Sequence, residues 1–161
     1  ATYTLEIFED LDKIDMIIVP LGAGSGASGA CIVADTVSPS TRVIAVQAEA
    51  APAAYISWKS GKIVEAEMNT SSEGLATKSA YELPQRILRE KLEDFLHVDE
   101  EEIHQAIRLY LQHTHTLVEG AGAAALAAAV KMGKRIEGQR VVLIASGGNI
   151  SSEQLRRILK V

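Results

Sequence analysis

The chain has 161 residues, 47% of them hydrophobic and 23% charged, which is typical of one globular domain spanning residues 1–161. The formal net charge of −5, without a basic stripe or interleaved aromatic residues, argues against a nucleic-acid partner. The longest run of small apolar residues, 121–130, is shorter than the about 20 residues that span a membrane. Because Cys31 is the only cysteine and no signal-peptide pattern is seen, we expect a soluble cytoplasmic protein with no membrane partner.

Helices and strands alternate along the chain. From apolar spacing and turn residues, helices are predicted at about residues 5–11, 26–37, 51–60, 82–93, 99–113, 120–132 and 151–159. Strands are predicted at 14–20, 42–48, 95–98 and 140–145, with a short extended segment at 63–67. Asp99 and Glu102 have the spacing of a capping box at a helix start. Because the strands are apolar without period-two alternation, we predict a three-layer α/β fold with helices on both faces of a mostly parallel sheet.

A glycine-rich run, PLGAGSGASG from Pro20 to Gly29, directly follows the apolar strand residues 16–19. A glycine-rich turn between a strand and a helix exposes backbone N–H groups at the positive end of the helix dipole. The sequence therefore predicts a binding site for a phosphorylated ligand.

A second glycine-containing segment, SGGN at 146–149, directly follows the apolar strand predicted at 140–145. Ligands of parallel α/β sheets bind beyond the carboxyl ends of the strands, so this segment and residues 22–26 are expected to meet at one pocket. A hydroxyl beside two glycines can approach a flat ligand without another side chain in the way.

Four segments occur in a fixed order: VPLGAGS at 19–25, EGLA at 73–76, VEGAGAAA at 118–125 and SGGN at 146–149. With APAAY at 51–55 they extend over nearly the whole chain. In this order they resemble the C-terminal part of the threonine and serine dehydratases, which belong to the fold type II pyridoxal-phosphate enzymes together with serine racemase.

The resemblance implies that the chain binds pyridoxal 5'-phosphate. The implied cofactor-binding residues are Gly22, Ala23, Gly24, Ser25, Gly26, Gly74, Glu119 and Ser146. Ser146 corresponds to the partner of the pyridine nitrogen, and a neutral hydroxyl there favours elimination over transamination because it does not protonate the ring. Gly74 corresponds to a loop that packs beside the ring. Glu119 corresponds to a glutamate close to the ring, although Gly120 stands where proline is usual.

The phosphate loop implied by the resemblance departs from the family's four glycines at two positions. Ala23 and Ser25 replace glycine, and Gly26 stands where the family usually has leucine. Binding through backbone N–H groups tolerates both changes if neither residue needs a positive φ. The Ser25 hydroxyl offers a further hydrogen bond to the phosphate.

Several relatives bind a divalent cation through a glutamate, a backbone carbonyl and an aspartate. The corresponding positions here are Gln47, Ala51 and Ala53, which lack both carboxylates. Since Mg²⁺ and Ca²⁺ need such hard oxygen ligands, we predict no metal at this position.

The family's Schiff-base lysine lies in a Ser-x-Lys-x-Arg segment, and no lysine of this chain lies in one. The resemblance therefore implies the C-terminal half of a longer enzyme, holding most of the cofactor-binding large domain. The parent would be a lyase that eliminates the β-hydroxyl of threonine or serine to give a 2-oxo acid and ammonia. The 161 residues alone are expected to be inactive. They are also expected to form a homo-oligomer or to require the N-terminal half, because a cut sheet leaves an unpaired edge.

Two other interpretations remain open. Residues 24–29 form a G-x-G-x-x-G pattern, and Glu49 lies twenty residues after Gly29, as in an NAD-binding Rossmann domain. Against this, residues 20–23 separate the apolar strand from the first glycine, whereas a Rossmann turn begins at the strand end. The missing lysine alone would favour a non-catalytic binding or regulatory module.

Several reactive or aromatic residues are interpreted as structural. Cys31 is expected to be a small buried residue of the helix after the glycine run. The histidines are expected to be solvated or partly buried rather than metal ligands, since His113 and His115 point to different sides of a helix. Tyr55 and Trp58 face either the side of the smaller substrate domain or a subunit interface, and the sequence leaves both open.

Overall fold

The computed structural model describes residues 1–160 and contains a four-stranded sheet in the order β3-β2-β1-β4. The strands are β1 (Met16–Pro20), β2 (Arg42–Ala48), β3 (Asp94–Val98) and β4 (Val141–Leu143). All three neighbouring pairs are parallel, and the central strands pair from Met16↔Arg42 to Pro20↔Val46. The predicted α/β class with a parallel sheet is confirmed.

The helices are α1 (Thr2–Asp10), α2 (Ser25–Val37), α3 (Ala53–Ser60), α4 (Glu82–Lys91), α5 (Glu100–Leu109), α6 (Gly120–Met132) and α7 (Ser152–Leu159). Short 3₁₀ turns lie at Glu73–Leu75 and Gly133–Ile136, and one π-helical turn lies at Tyr110–Thr114. Within residues 1–160, no helix has the length and apolarity needed to cross a membrane.

The sheet is buried on both faces, which explains why its strands lack period-two alternation. On β1, Met16 and Ile18 belong to the core beneath α5, α6 and α7, whereas Ile17 and Val19 belong to the core beneath α1 to α4. All four side chains are almost fully buried. Burying a side chain of this size contributes about 1.5–3 kcal/mol relative to leaving it exposed, so the two cores hold the three layers together.

Several predicted boundaries differ from those in the structure, four of them as follows. The strand predicted at 140–145 is reduced to β4, because it is an edge strand that pairs only with β1. The helix predicted from residue 51 begins at Ala53, since Pro52 is its N-cap. The helix predicted at 99–113 widens into the π-helical turn after Leu109. The segment predicted at 63–67 makes one isolated antiparallel bridge, Glu65 with Ser79.

The predicted capping box at the start of α5 is confirmed. The Glu102 backbone N–H donates to the Asp99 carboxylate and the Asp99 backbone N–H donates to the Glu102 carboxylate, each at 2.8 Å. A second capping box, between Ser151 and Gln154, opens α7. Both devices satisfy backbone donors that a helix start otherwise leaves unpaired.

Tyr55 and Trp58 of α3 pack against strand β3 and helix α4. Trp58 Nε1 donates to the Leu88 carbonyl at 3.1 Å, and the Tyr55 ring lies 5.6 Å from the Phe95 ring and 4.1 Å from the His97 ring, centre to centre. These rings join α3 to the sheet edge, so part of each side chain is used within this domain.

Burial of the His97 ring makes the stability of the protein dependent on pH. Burial lowers the pKa of His97, and the nearby Lys131 acts in the same direction while Glu49 opposes it. A folded-state pKa below the ordinary value of about 6.5 means that the unfolded chain takes up this proton first as the pH falls. The stabilisation by neutral His97 is therefore present above about pH 6.5 and is lost as the pH falls below it.

We expect the urea midpoint of unfolding to fall between about pH 7.5 and pH 5.5, and to fall less in His97→Gln than in the unsubstituted chain. His113→Gln, which alters an exposed histidine, is the control and should keep the full pH dependence. Equal pH dependence in the unsubstituted chain and His97→Gln would show that His97 does not contribute.

Candidate ligand-binding site

The glycine loop connects the end of β1 to the start of α2 at the carboxyl edge of the sheet. The Leu21 backbone N–H donates to the Val46 carbonyl at 2.8 Å and holds the loop against β2. Gly24 then adopts a left-handed conformation (φ 93°, ψ −1°) and caps α2 without any side-chain cap. A residue with a Cβ is strained in this conformation, so glycine is required at the turn.

The first turn of α2 presents unpaired backbone donors. The Ser28 N–H is the first to bond within the helix, to the Gly24 carbonyl at 2.9 Å. The N–H groups of Ser25, Gly26 and Ala27 precede it and have no intrahelical acceptor. They lie at the positive end of a 13-residue helix, where a phosphate is favoured.

The two substitutions in the loop do not strain its backbone. Within residues 1–160, the non-glycine residues with positive φ are His115 and Lys160. Ala23 and Ser25 therefore have ordinary backbone conformations, which is the condition under which a backbone phosphate site tolerates them.

Three segments that are far apart in the sequence pack against one another at the glycine loop, with no large side chain between their backbones. A Cβ on Gly22 would lie 2.3 Å from the Gly74 carbonyl oxygen, and a Cβ on Gly74 would lie 2.7 Å from the Ala121 Cβ. The loop, the 3₁₀ turn and the start of α6 are therefore in direct contact. The structure brings together Gly22 and Gly74, two of the residues singled out from the sequence.

The start of α6 is joined to the segment after β4. The Glu119 N–H donates to the Gly147 carbonyl at 3.0 Å, and a Cβ on Gly147 would lie 2.5 Å from Glu119 Oε1. A Cβ on Gly122 would likewise lie 2.3 Å from the Gly147 oxygen. These contacts fix the backbone next to Ser146.

Gly120, where the resemblance implies proline, has a local partner. A Cβ at this position would lie 2.2 Å from Ser72 Oγ, and Ser72 is buried. The serine therefore occupies space that a proline ring would need. This packing keeps the start of α6 against the segment that leads to Gly74.

Two cavities contain different members of the set expected from the sequence. A cavity of about 610 Å³ between α1 and the ends of β1 and β4 is lined by Pro20, Gly26 and Ser146. Glu119 lines a separate cavity of about 160 Å³. The structure thus brings Gly26 and Ser146 to one cavity, but it does not bring Glu119 to the same one. Residues Gly22, Ala23, Gly24, Ser25 and Gly74 line neither cavity.

The larger cavity has no cationic side chain to bind an anion among the residues that the structure describes. Among the described residues that line it, none is lysine or arginine, and Glu6 and Asp10 of α1 are acidic. A phosphate at the start of α2 would therefore depend on the unpaired N–H groups and on the helix dipole.

Cys31 lies on α2 behind the glycine loop and is almost fully buried. Burial raises the pKa of its thiol to about 12, so the thiol stays protonated and unreactive near neutral pH. This agrees with its interpretation as a small buried residue.

At the position where the resemblance implies a cation ligand in other proteins, the Gln47 side chain takes part in local structure. Gln47 is fully buried and its Oε1 accepts the Tyr55 backbone N–H at 3.2 Å, near the start of α3. Within residues 1–160, no group of three or more histidine, cysteine, aspartate or glutamate side chains is placed to share a metal ion. The absence of this metal site stays a prediction.

Comparison with known proteins identifies the family. Residues 1–147 match the model of a family described as pyridoxal-phosphate dependent enzyme. The chain belongs to this family. The resemblance inferred from the four ordered segments is therefore confirmed, and so is the cofactor that the family uses.

Among the family's proteins, the chain is 33% identical to L-threonine ammonia-lyase of Thermotoga maritima over 99% of its own length and 40% of that enzyme. It is 30% identical to serine racemase of Schizosaccharomyces pombe, covering 99% of this chain and 50% of the racemase. Its fold matches the processed form of threonine deaminase isoform 2 from Solanum lycopersicum with a TM-score of 0.93 and 25% identity, over 99% of this chain and 47% of that one. The chain thus spans about half the length of the relatives it matches.

One residue of the larger cavity was missed from the sequence. Tyr3 lines it, and its hydroxyl contacts Gly26. No motif contains Tyr3, and its position on a short amphipathic helix is typical of packing. The one indirect signal for Tyr3 in the sequence was Gly26, which stands where the resemblance implies leucine. A glycine there leaves space that another side chain can fill.

Proposed function

We propose that this chain is the cofactor-holding part of a pyridoxal-phosphate-dependent lyase that eliminates the β-hydroxyl of a hydroxy amino acid such as threonine or serine, giving a 2-oxo acid and ammonia. One observation carries the proposal: Gly26, from the helix turn with three unpaired N–H groups, and Ser146 line the same cavity at the carboxyl edge of the sheet. A phosphate and a ring nitrogen need these two kinds of group.

In this proposal the backbone of α2 binds the cofactor phosphate. The donors are the N–H groups of Ser25, Gly26 and Ala27, with the Ser25 hydroxyl as an additional donor. Backbone donors keep their direction because the helix holds them, so little entropy is lost on binding. The other proposed binding residues, Gly22, Ala23, Gly24 and Gly74, shape the loop through their backbone.

Ser146 is proposed to orient the ring through a hydrogen bond to its nitrogen. When bound, the cofactor supplies an electron sink for loss of the α-proton and the β-hydroxyl. A neutral hydroxyl forms a hydrogen bond to the ring nitrogen without protonating it. The ring is then a weaker electron sink, which favours elimination. Glu119, beside Gly147, is proposed to hold this segment close to the ring.

The substrate is proposed only as a class, the hydroxy amino acids, and not as one particular amino acid. The relatives include a threonine ammonia-lyase and a serine racemase, whose names give different substrates and reactions. Because the chain covers only 40–50% of their length, residues outside it are proposed to supply the lysine and most substrate contacts. The N-terminal half and a second copy of the chain are the proposed protein partners.

The test is binding of 4-deoxypyridoxine 5'-phosphate, measured by calorimetry on the 161-residue chain. This analogue keeps the ring and the phosphate but has no aldehyde, so it does not react with surface lysines. We expect it to bind at least about tenfold more tightly than pyridoxine, which lacks the phosphate. Ser146→Ala should weaken binding of the analogue without abolishing it, since the phosphate contacts persist.

NADH titrated in parallel separates the proposal from a dinucleotide-binding domain. In the structure three residues, 21–23, lie between the end of β1 and Gly24, where a Rossmann turn would have the first glycine at the strand end. We therefore expect no saturable NADH binding. Saturable NADH binding without binding of the phosphorylated analogue would refute the proposal.

A further inference from the structure

We infer that Tyr3 is a positioning residue for the glycine loop, holding the first turn of α2 in the geometry that a phosphate requires. The inference rests on the proposed function, because the loop is the proposed phosphate site. It concerns a helix, α1, that contains none of the four segments on which the resemblance was based.

The contact joins two elements that are distant in the sequence. Tyr3 Oη donates to the Gly26 carbonyl oxygen at 2.9 Å, across 23 positions of the chain. The Gly26 carbonyl and the Ala27 N–H belong to one planar peptide unit. A hydrogen bond that fixes the carbonyl therefore also fixes the direction of the Ala27 N–H, one of the three unpaired donors at the helix start.

The space at Gly26 is matched to the tyrosine. A Cβ on Gly26 would lie 3.1 Å from Tyr3 Oη and 4.0 Å from Val19 Cγ1. A large side chain at this position, such as leucine, would displace the hydroxyl. Tyr3 and Gly26 are therefore coupled, and the tyrosine takes a place next to the loop that the glycine leaves open.

Two further features keep the contact in place. Burial raises the pKa of Tyr3, so its hydroxyl stays protonated and remains a donor throughout the physiological range. One turn further along α2, a Cβ on Gly29 would lie 2.7 Å from the Ala1 backbone nitrogen. The start of α1 therefore packs directly on α2 at two successive turns. This packing holds the helix that carries the Tyr3 hydroxyl in place.

The first measurement is the dissociation constant of 4-deoxypyridoxine 5'-phosphate for the 161-residue chain and for Tyr3→Phe. Removing one neutral hydrogen bond should raise this constant about three- to tenfold. Tyr110→Phe is the matched control, because Tyr110 is also half-buried and its hydroxyl bonds no other described residue. Its dissociation constant should stay within about twofold.

The second measurement is hydrogen exchange of the amides of residues 28–30, the first that are hydrogen-bonded within α2, in the absence of any ligand. Tyr3→Phe should speed exchange there by about threefold or more, while Tyr110→Phe should not. If the unsubstituted chain does not bind the analogue, the proposed function fails, but faster exchange in Tyr3→Phe still supports the positioning role. Unchanged exchange in Tyr3→Phe overturns the inference, and so does an equal effect of Tyr110→Phe on either measurement.

Discussion

Gly24→Ala is expected to reduce binding of 4-deoxypyridoxine 5'-phosphate by more than about tenfold and to destabilise the chain by about 1–3 kcal/mol. Gly24 has a φ of 93°, and a Cβ there would lie 2.8 Å from the Pro84 Cβ. The side chain therefore meets both backbone strain and a collision with α4. Relief of either one rotates the peptide that leads into Ser25 and turns the unpaired N–H groups away from a common phosphate.

The matched control for this prediction is Gly61→Ala. Gly61 also has a left-handed backbone, with a φ of 76°, but a Cβ there would meet nothing within 4 Å. It caps α3, away from the glycine loop. The control should lose about 1–2 kcal/mol of unfolding free energy from backbone strain and keep its affinity. Retained affinity in Gly24→Ala, or an equal loss in Gly61→Ala, would contradict the assignment of the phosphate loop.

Leu143→Pro is expected to weaken self-association of the chain while leaving it folded. Strand β4 pairs with β1 on one side only, and the Met16 N–H donates to the Arg140 carbonyl while the Ile144 N–H donates to the Ile18 carbonyl. Residues of a parallel strand point their backbone groups to alternate sides, so the N–H of Leu143 points to the free edge. An edge with unpaired donors and apolar side chains recruits another strand.

Proline at 143 removes a donor only from the free edge, where a sheet tolerates it. Val142→Pro is the matched control, because the alternation places the Val142 N–H in the ladder with β1. It should lose at least about 3 kcal/mol of unfolding free energy or fail to fold. Light scattering over a concentration series, with circular dichroism as the measure of folding, separates the two variants.

The prediction concerning the β4 edge would be wrong if the unsubstituted chain were monomeric over the whole concentration series. It would also be wrong if Leu143→Pro associated as strongly as the unsubstituted chain. The same experiment can be repeated with the N-terminal half of the protein added. If that half covers the β4 edge, it should suppress self-association of the unsubstituted chain and have no effect on self-association of Leu143→Pro.

Elements whose signals lie within their own residues were predicted with their observed bounds. The β-branched run Arg42–Ala48 and the alanine-rich helix Gly120–Met132 are examples. The capping box at Asp99 was predicted because both of its partners lie within four residues. The predicted elements were too long where the boundary depends on strand pairing, as at β4, or on the N-cap of a helix, as at the start of α3.

The site was predicted in part for the same reason. Glycine spacing identified the loop that leads into α2, whose N-cap is Gly24. The SGGN segment identified the end of the strand that precedes it. Spacing does not show which segments share a cavity: Glu119 bonds Gly147, next to Ser146, yet its side chain lines a different cavity from Ser146. The role of Tyr3 had no local signal, because its partner Gly26 is 23 residues away.

The order of helices and strands, the glycine turn that ends β1 and the family resemblance could all be read from the amino-acid sequence. These depend on short-range patterns: apolar runs, caps and turn residues that act within a few positions. Three contacts became apparent only in the folded chain: Gly22 touches Gly74, Gly26 and Ser146 share a cavity, and Tyr3 bonds the first turn of α2. Such contacts depend on how much space packed elements leave between residues far apart in the chain, and local sequence patterns do not record that space.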